Sequence, residues 1–154
     1  MTTKPLEITE INLEEIIHKT TKTLKDEIDN IKPKIILKLY NPVIRSNQTY
    51  LESIFLNLVS NALKFHSEQR PLEITIVSES ISDKRTEIKF SDNGIGIDLK
   101  RHKEKVFGLY QRFHENSDGK GIGLFLIKSQ ITALGGTIYV ESEVEKGTSY
   151  IIHL

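Results

Sequence analysis

The sequence predicts an α/β two-layer sandwich: a mixed, mostly antiparallel sheet with its helices on one face. Three observations carry that expectation. Segments with apolar residues at helical spacing are interleaved with short stretches in which apolar and polar residues alternate. The later strand-like stretches come as consecutive pairs joined by tight turns, which favours hairpins and a one-sided helix layer over a doubly wound parallel sheet. Finally, 154 residues with 38% apolar side chains can bury one real core without cross-links, and with no Cys none are available.

Taken in order, Asn12 followed by Glu14 and Glu15 has the form of a capping box. A first helix is expected from there to about Asp29, with Leu13, Ile16, Ile17, Thr20, Leu24 and Ile28 on one face. Pro33 separates it from a strand over 35–40. The spacing predicts a helix over 47–66, whose Leu51, Ile54, Phe55, Leu58, Ala62 and Phe65 form a wide apolar face. Strands at 72–77 and 86–90 are joined by Ser82, Asp83 and Lys84, and a polar segment runs to about Ser117. A helix over about 122–134 is stopped by Gly135 and Gly136. Strands at 137–142 and 148–153 close the chain around a turn at Glu145, Lys146 and Gly147.

Lys+Arg and Asp+Glu balance at 21 each, which argues against the broad electropositive surface that gathers nucleic acid or anionic lipid. No nucleic-acid partner and no direct membrane contact are expected. The N-terminus carries charge where a signal peptide would be apolar, and no run of 18 apolar residues occurs, so the expected location of this segment is the cytoplasm, with membrane anchoring of a longer receptor left open. No repeat or linker divides the chain, which reads as a single domain over 1–154.

Three segments exceed what a core requires. On the helix over 47–66, Asn57, Asn61 and Lys64 align within roughly 60° of one another. Two amides and an ammonium so placed can hold a hydrated divalent cation and the phosphates it carries; a solvated helix face fits the same residues. Asp92-Asn93-Gly94-Ile95-Gly96-Ile97 follows a strand directly. Its glycines allow positive φ and close approach to a planar ligand, and an ionised Asp92 is an acceptor that selects a donor such as the adenine amino group. An Asx turn with two turn glycines is the plainer alternative. Gly119-Lys120-Gly121-Ile122-Gly123-Leu124 opens a helix, where exposed amides and the positive dipole end suit an anion, or where the glycines simply make a turn.

In this order the three segments resemble the N, G1 and G2 boxes of the sensor histidine kinase ATP-binding domain, in the superfamily of gyrase, chaperone, histidine kinase and mismatch-repair ATPases. Val106 to His114 is similar to that family's F box, and Gly135-Gly136-Thr137 with Gly147-Thr148 to its closing hairpin. The resemblance implies a Bergerat fold with ATP and Mg²⁺ as cofactors. It implies that Asn61 is the Mg²⁺ ligand, that Asn57 and Lys64 are the catalytic side chains facing the phosphates, and that Asp92 binds the adenine amino group. Gly94, Gly96 and Ile97 would line the base pocket, with Phe65 beside the adenine unless it is plain core. A lid would span about 99–120. Gly121 and Gly123 would give its far hinge and phosphate-facing amides, with Gly119, Lys120, Ile122 and Leu124 beside them at the nucleotide, the role of Lys120 there being open, and Thr148 would help fix Asp92 through water.

Hydrolysing members of the superfamily, and its serine kinases, carry Glu where this chain has Asn57, and an amide cannot take a proton at neutral pH. The implied reaction is transfer of the γ-phosphoryl group to a histidine, whose neutral imidazole is already a nucleophile. None of His18, His66, His102, His114 and His153 sits in a His-Glu-x-x-x-Pro box. The phosphoacceptor and dimerisation domain is therefore expected to be absent from this chain, with that domain and a response regulator as partners. Competing expectations are a catalytically silent module that senses nucleotide or docks a partner, and a standalone serine kinase, which Asn57 disfavours.

Overall fold

In chain order the elements of the computed structural model are β1 (Thr9–Asn12), α1 (Leu13–Thr23), α2 (Lys25–Ile31), β2 (Lys34–Leu39), β3 (Val43–Ser46) and α3 (Gln48–Lys64). They continue with β4 (Glu73–Ser82), β5 (Arg85–Asp92), α4 (Leu99–His102), α5 (Gly123–Ala133), β6 (Thr137–Glu143) and β7 (Gly147–His153). The structure describes residues 5–102, 105–108 and 123–154. Among them no helix is long and apolar enough to cross a membrane.

Five strands form one sheet in the order β2-β4-β5-β7-β6, in which β2 and β4 run parallel and every other pair is antiparallel. The period of two puts one set of side chains on the helix side: Ile74 and Ile76 from β4, Ile88 and Phe90 from β5, Ile138 from β6, and Tyr150 and Ile152 from β7. These meet Leu13, Ile16 and Ile17 of α1, Leu51, Ile54, Phe55 and Leu58 of α3, and Ile127 and Ile131 of α5 in a single core. The two-layer sandwich expected from the sequence is the fold observed.

The first helix is two helices. Leu24, with φ −98° and ψ 23°, leaves the helical region between α1 and α2. Thr20, Thr21 and Thr23 crowd the preceding turn, and each donates its hydroxyl back to a carbonyl of the same helix, at Ile16, His18 and Lys19. Hydroxyl back-bonding of this kind bends helices, and β-branched residues are weak helix formers. Strands β1 and β3 were not expected either. At four residues each they are too short to display alternation, yet they pair antiparallel with Ile11 opposite Ile44, both buried. Strand β4 extends beyond the expected 72–77 because Ser78–Ser82 is held by the ladder with little apolar patterning to announce it, and β5 exceeds the expected 86–90 by Arg85 at one end and Ser91 and Asp92 at the other.

Asn47 caps α3, accepting from the Tyr50 amide at 2.9 Å while its own amide donates to the Glu7 carbonyl at 2.9 Å. It is only 9% exposed. Asn47→Ala removes both bonds and is expected to destabilise the domain by about 2 kcal/mol in urea denaturation, with Asn47→Asp recovering the cap alone. A loss in the alanine variant within measurement error would contradict this role.

Candidate functional site

The site grows from one row of the sheet. Ile74, Asp92, Thr148 and Ser142 are successive cross-strand partners on β4, β5, β7 and β6, in register with the core rows below them. Asp92 therefore stands on the helix-facing side of the sheet, where the period of two would otherwise place an apolar residue. Burial pushes its pKa up to about 6, opposed by hydrogen bonds from the backbone amides of Gly94 and Thr148. The Gly94 bond measures 2.9 Å. At neutral pH the carboxyl is thus still mostly ionised. Nearby, burial and then the Asp92 charge hold the Tyr150 hydroxyl proton well above the ordinary tyrosine range.

Ser142 donates its single hydroxyl proton to the Gly147 carbonyl at 2.8 Å, so its 2.8 Å contact with Thr148 Oγ1 must be a bond donated by Thr148. The remaining lone pair accepts the Ile97 amide at 2.7 Å. This adjusts the expectation for Thr148: its amide reaches the Asp92 carboxylate directly, while its hydroxyl, through Ser142, ties Ile97 to the β6–β7 turn.

The two glycines of this loop are needed against protein rather than ligand. Gly94 does not have positive φ; a Cβ there would overlap the carbonyl oxygen of Phe65. Gly96 does, at 73°, and a Cβ there would overlap the Glu143 carbonyl. Phe65 caps the end of α3, half-buried, and its carbonyl accepts the Ile95 amide at 3.0 Å. The loop after β5 is thus stitched to the last turn of α3 on one side and to the β6–β7 turn on the other.

Two turns back along the same helix, the flank of α3 meets the start of α5. A Cβ on Gly123 would lie 3.4 Å from Asn57 Oδ1 and 3.7 and 3.8 Å from the two polar atoms of the Asn61 amide. Asn57 donates its own amide to the Ser53 carbonyl at 3.0 Å, which turns its oxygen toward α5. Lys64 is exposed in the last turn of α3. Leu124 is half-buried against the core. Gly119, Lys120, Gly121 and Ile122 lie outside the described residues, as does most of the segment expected as a lid. Of that segment, α4 is seen, capped by the Asp98 carbonyl and carboxylate, followed by a turn in which Val106 is buried and Phe107 packs on the core under Lys128.

Sequence reasoning missed Arg70, Asn93 and Ser142. Asn93 accepts the Glu73 amide and donates to the Pro71 carbonyl. Arg70 bonds three carbonyls, at Asn93, Gly94 and Glu145. Main-chain partners leave no pattern in a sequence, so only the conspicuous loop residues were legible.

The model of the family described as "Histidine kinase-, DNA gyrase B-, and HSP90-like ATPase" matches residues 46–154, and the chain belongs to that family. Within it, the chain is similar to sensor kinases. It is 32% identical over 97% of its length to the sensor protein RprX of Bacteroides fragilis, and 38% identical over 71% to cyanobacterial phytochrome A of a Nostoc species. It spans 30% and 14% of those two proteins. Among solved structures, the catalytic domain of the histidine kinase ThkA superposes over 97% of the chain and 95% of its own, with a TM-score of 0.79 and 25% identity. The mycobacterial sensor histidine kinase MprB gives a TM-score of 0.81 at 20% identity over 96% of the chain and 97% of its own, a likeness of fold. The resemblance read from the motifs is borne out.

Because Asp92 has a higher pKa folded than unfolded, the folded state binds its proton more tightly. That contribution to stability is complete below about pH 4 and is lost as pH rises through about 6. Asp92→Asn removes the buried charge and is expected to make the nucleotide-free domain more stable above pH 7, by up to about 3 kcal/mol. The advantage over the parent should vanish toward pH 4. Thermal melts across that range check it, and a variant no more stable than its parent at pH 8 would refute the assignment.

Proposed function

We propose that this chain is the ATP-binding catalytic domain of a two-component sensor histidine kinase, which positions Mg-ATP for transfer of its γ-phosphoryl group to a histidine on a separate domain. One observation carries this reading: the C-terminal half of α3 links a buried, charged acceptor beside its last turn to a helix start lined by two amides about two turns earlier. From Asn57 to Phe65 is eight residues, or roughly 12 Å of helix, the reach of a nucleoside triphosphate from base to phosphates.

At the base end, the ionised Asp92 carboxylate accepts the adenine amino group, whereas guanine would oppose a carbonyl oxygen to it. Gly94, Gly96 and Ile97 form the floor of that pocket and Phe65 its edge. At the phosphate end the start of α5, Gly123 and Leu124, contributes amides, a role the motif resemblance extends to Gly119, Lys120, Gly121 and Ile122, and Lys64 a point charge. Among the described residues no three His, Cys, Asp or Glu side chains converge as a metal site. The residues present fit Mg²⁺ that arrives with the nucleotide, held largely by phosphate oxygens and water with Asn61 as its protein ligand. Bound there, Mg²⁺ neutralises charge on the transferring phosphoryl group.

Asn57 presents an amide oxygen where a general base would have to stand, so it orients water without deprotonating it. ATP is then held without rapid hydrolysis until an imidazole arrives. The similarity to sensor kinases of which this chain spans less than a third supports an acceptor histidine in another domain and a response regulator downstream.

Calorimetric titration with ATP and Mg²⁺ should show binding, with none for GTP and none for Asp92→Asn; absence of ATP binding by the parent protein overturns the proposal. Asn57→Glu should raise the basal ATPase rate, and an unchanged rate would remove the amide explanation of slow hydrolysis.

A further inference from the structure

We propose that Arg70 is a positioning residue for base recognition: its guanidinium ties the loop that follows Asp92 to the β6–β7 turn and so holds the adenine acceptor in place. The inference rests on the nucleotide site proposed above. Arg70 lies in the connection between α3 and β4, outside every motif that defines the family resemblance.

Its geometry is that of a three-point clamp. Nε donates to the Asn93 carbonyl at 2.7 Å, and Nη2 donates to the Gly94 carbonyl at 2.8 Å and the Glu145 carbonyl at 2.6 Å. The first two carbonyls belong to the two residues that follow Asp92. The Gly94 peptide therefore works in both directions: its N–H donates to Asp92 Oδ1 while its C=O is held by Arg70. A shift of that residue moves the carboxylate's hydrogen-bond partner with it.

The third carbonyl explains why the clamp is needed. Glu145 has φ 66°, the left-handed region that side-chain-bearing residues rarely adopt. Such a conformation persists only where its surroundings over-determine it. Here the Glu145 amide donates to the Ile95 carbonyl at 2.7 Å and the Glu145 carbonyl receives Arg70, so the strained turn is pinned from both sides against the same loop. A planar guanidinium with fixed, divergent donors spans carbonyls on two segments; an ammonium on a flexible stem covers this geometry only in part.

The test uses the domain and two variants, Arg70→Ala and Arg70→Lys, with three readouts. Calorimetry with Mg-ATP should show affinity reduced about tenfold or more in Arg70→Ala and by a smaller factor in Arg70→Lys. Competition by Mg-tripolyphosphate, which occupies only the phosphate end, should be unchanged in both, a result that general loss of structure would not give. Amide hydrogen exchange in the absence of nucleotide should quicken at Gly94, Ile95 and Glu145 while the β5–β7 ladder stays protected.

Wild-type ATP affinity with wild-type exchange at those amides overturns the proposal, as does an equal loss of ATP and tripolyphosphate binding. If Arg70→Ala does not fold, Arg70→Lys carries the same comparison. Should the parent protein bind no ATP, the nucleotide reading and the recognition role fall together, whereas the exchange rates still decide whether the tether exists.

Discussion

A carboxylate on the core side of a sheet is the constraint around which this molecule is arranged. Asp92 continues the inward row of β5 after Thr86, Ile88 and Phe90, so the alternation that builds the core also delivers a charge into it. Two backbone amides compensate part of the desolvation. One comes from the neighbouring strand and one from the loop that follows, so the charge can persist only while β7 and residues 93–96 stay where they are.

Close approach of main chain to main chain is what keeps them there. Gly94 lies under the Phe65 carbonyl, Gly96 under Glu143, and Ile95 exchanges hydrogen bonds with Phe65 and Glu145. Glycines that read most naturally as making room for a ligand are first required to make room for the protein. Both purposes agree, because a pocket floor that is itself backbone, locked to a helix end and a hairpin turn, presents a preorganised surface to whatever binds above it.

Helix α3 runs between the loop after Asp92 and the start of α5. Its apolar face is buried through Leu51, Ile54, Phe55, Leu58 and Ala62, which leaves Asn57 and Asn61 on the flank toward α5. Two poor helix formers are tolerated mid-helix because packing, not propensity, stabilises the element.

Periodicity in the sequence determined most of the helices, the hairpins and the one-sided helix layer, and glycine placement marked the loop after β5, because apolar spacing and glycine placement are local consequences of burial and turn geometry. It did not reveal the break at Leu24, where back-bonded threonine hydroxyls compete with the helix, or the β1–β3 pair, whose alternation is too brief to read. Only the tertiary structure decided that Asp92 shares a cross-strand row with Thr148 and Ser142, that Gly123 abuts Asn57 and Asn61, and that Arg70 and Asn93 hold the loop. Those relations join residues far apart in the chain, mostly through main-chain groups that every residue carries, so no pattern of side chains could announce them.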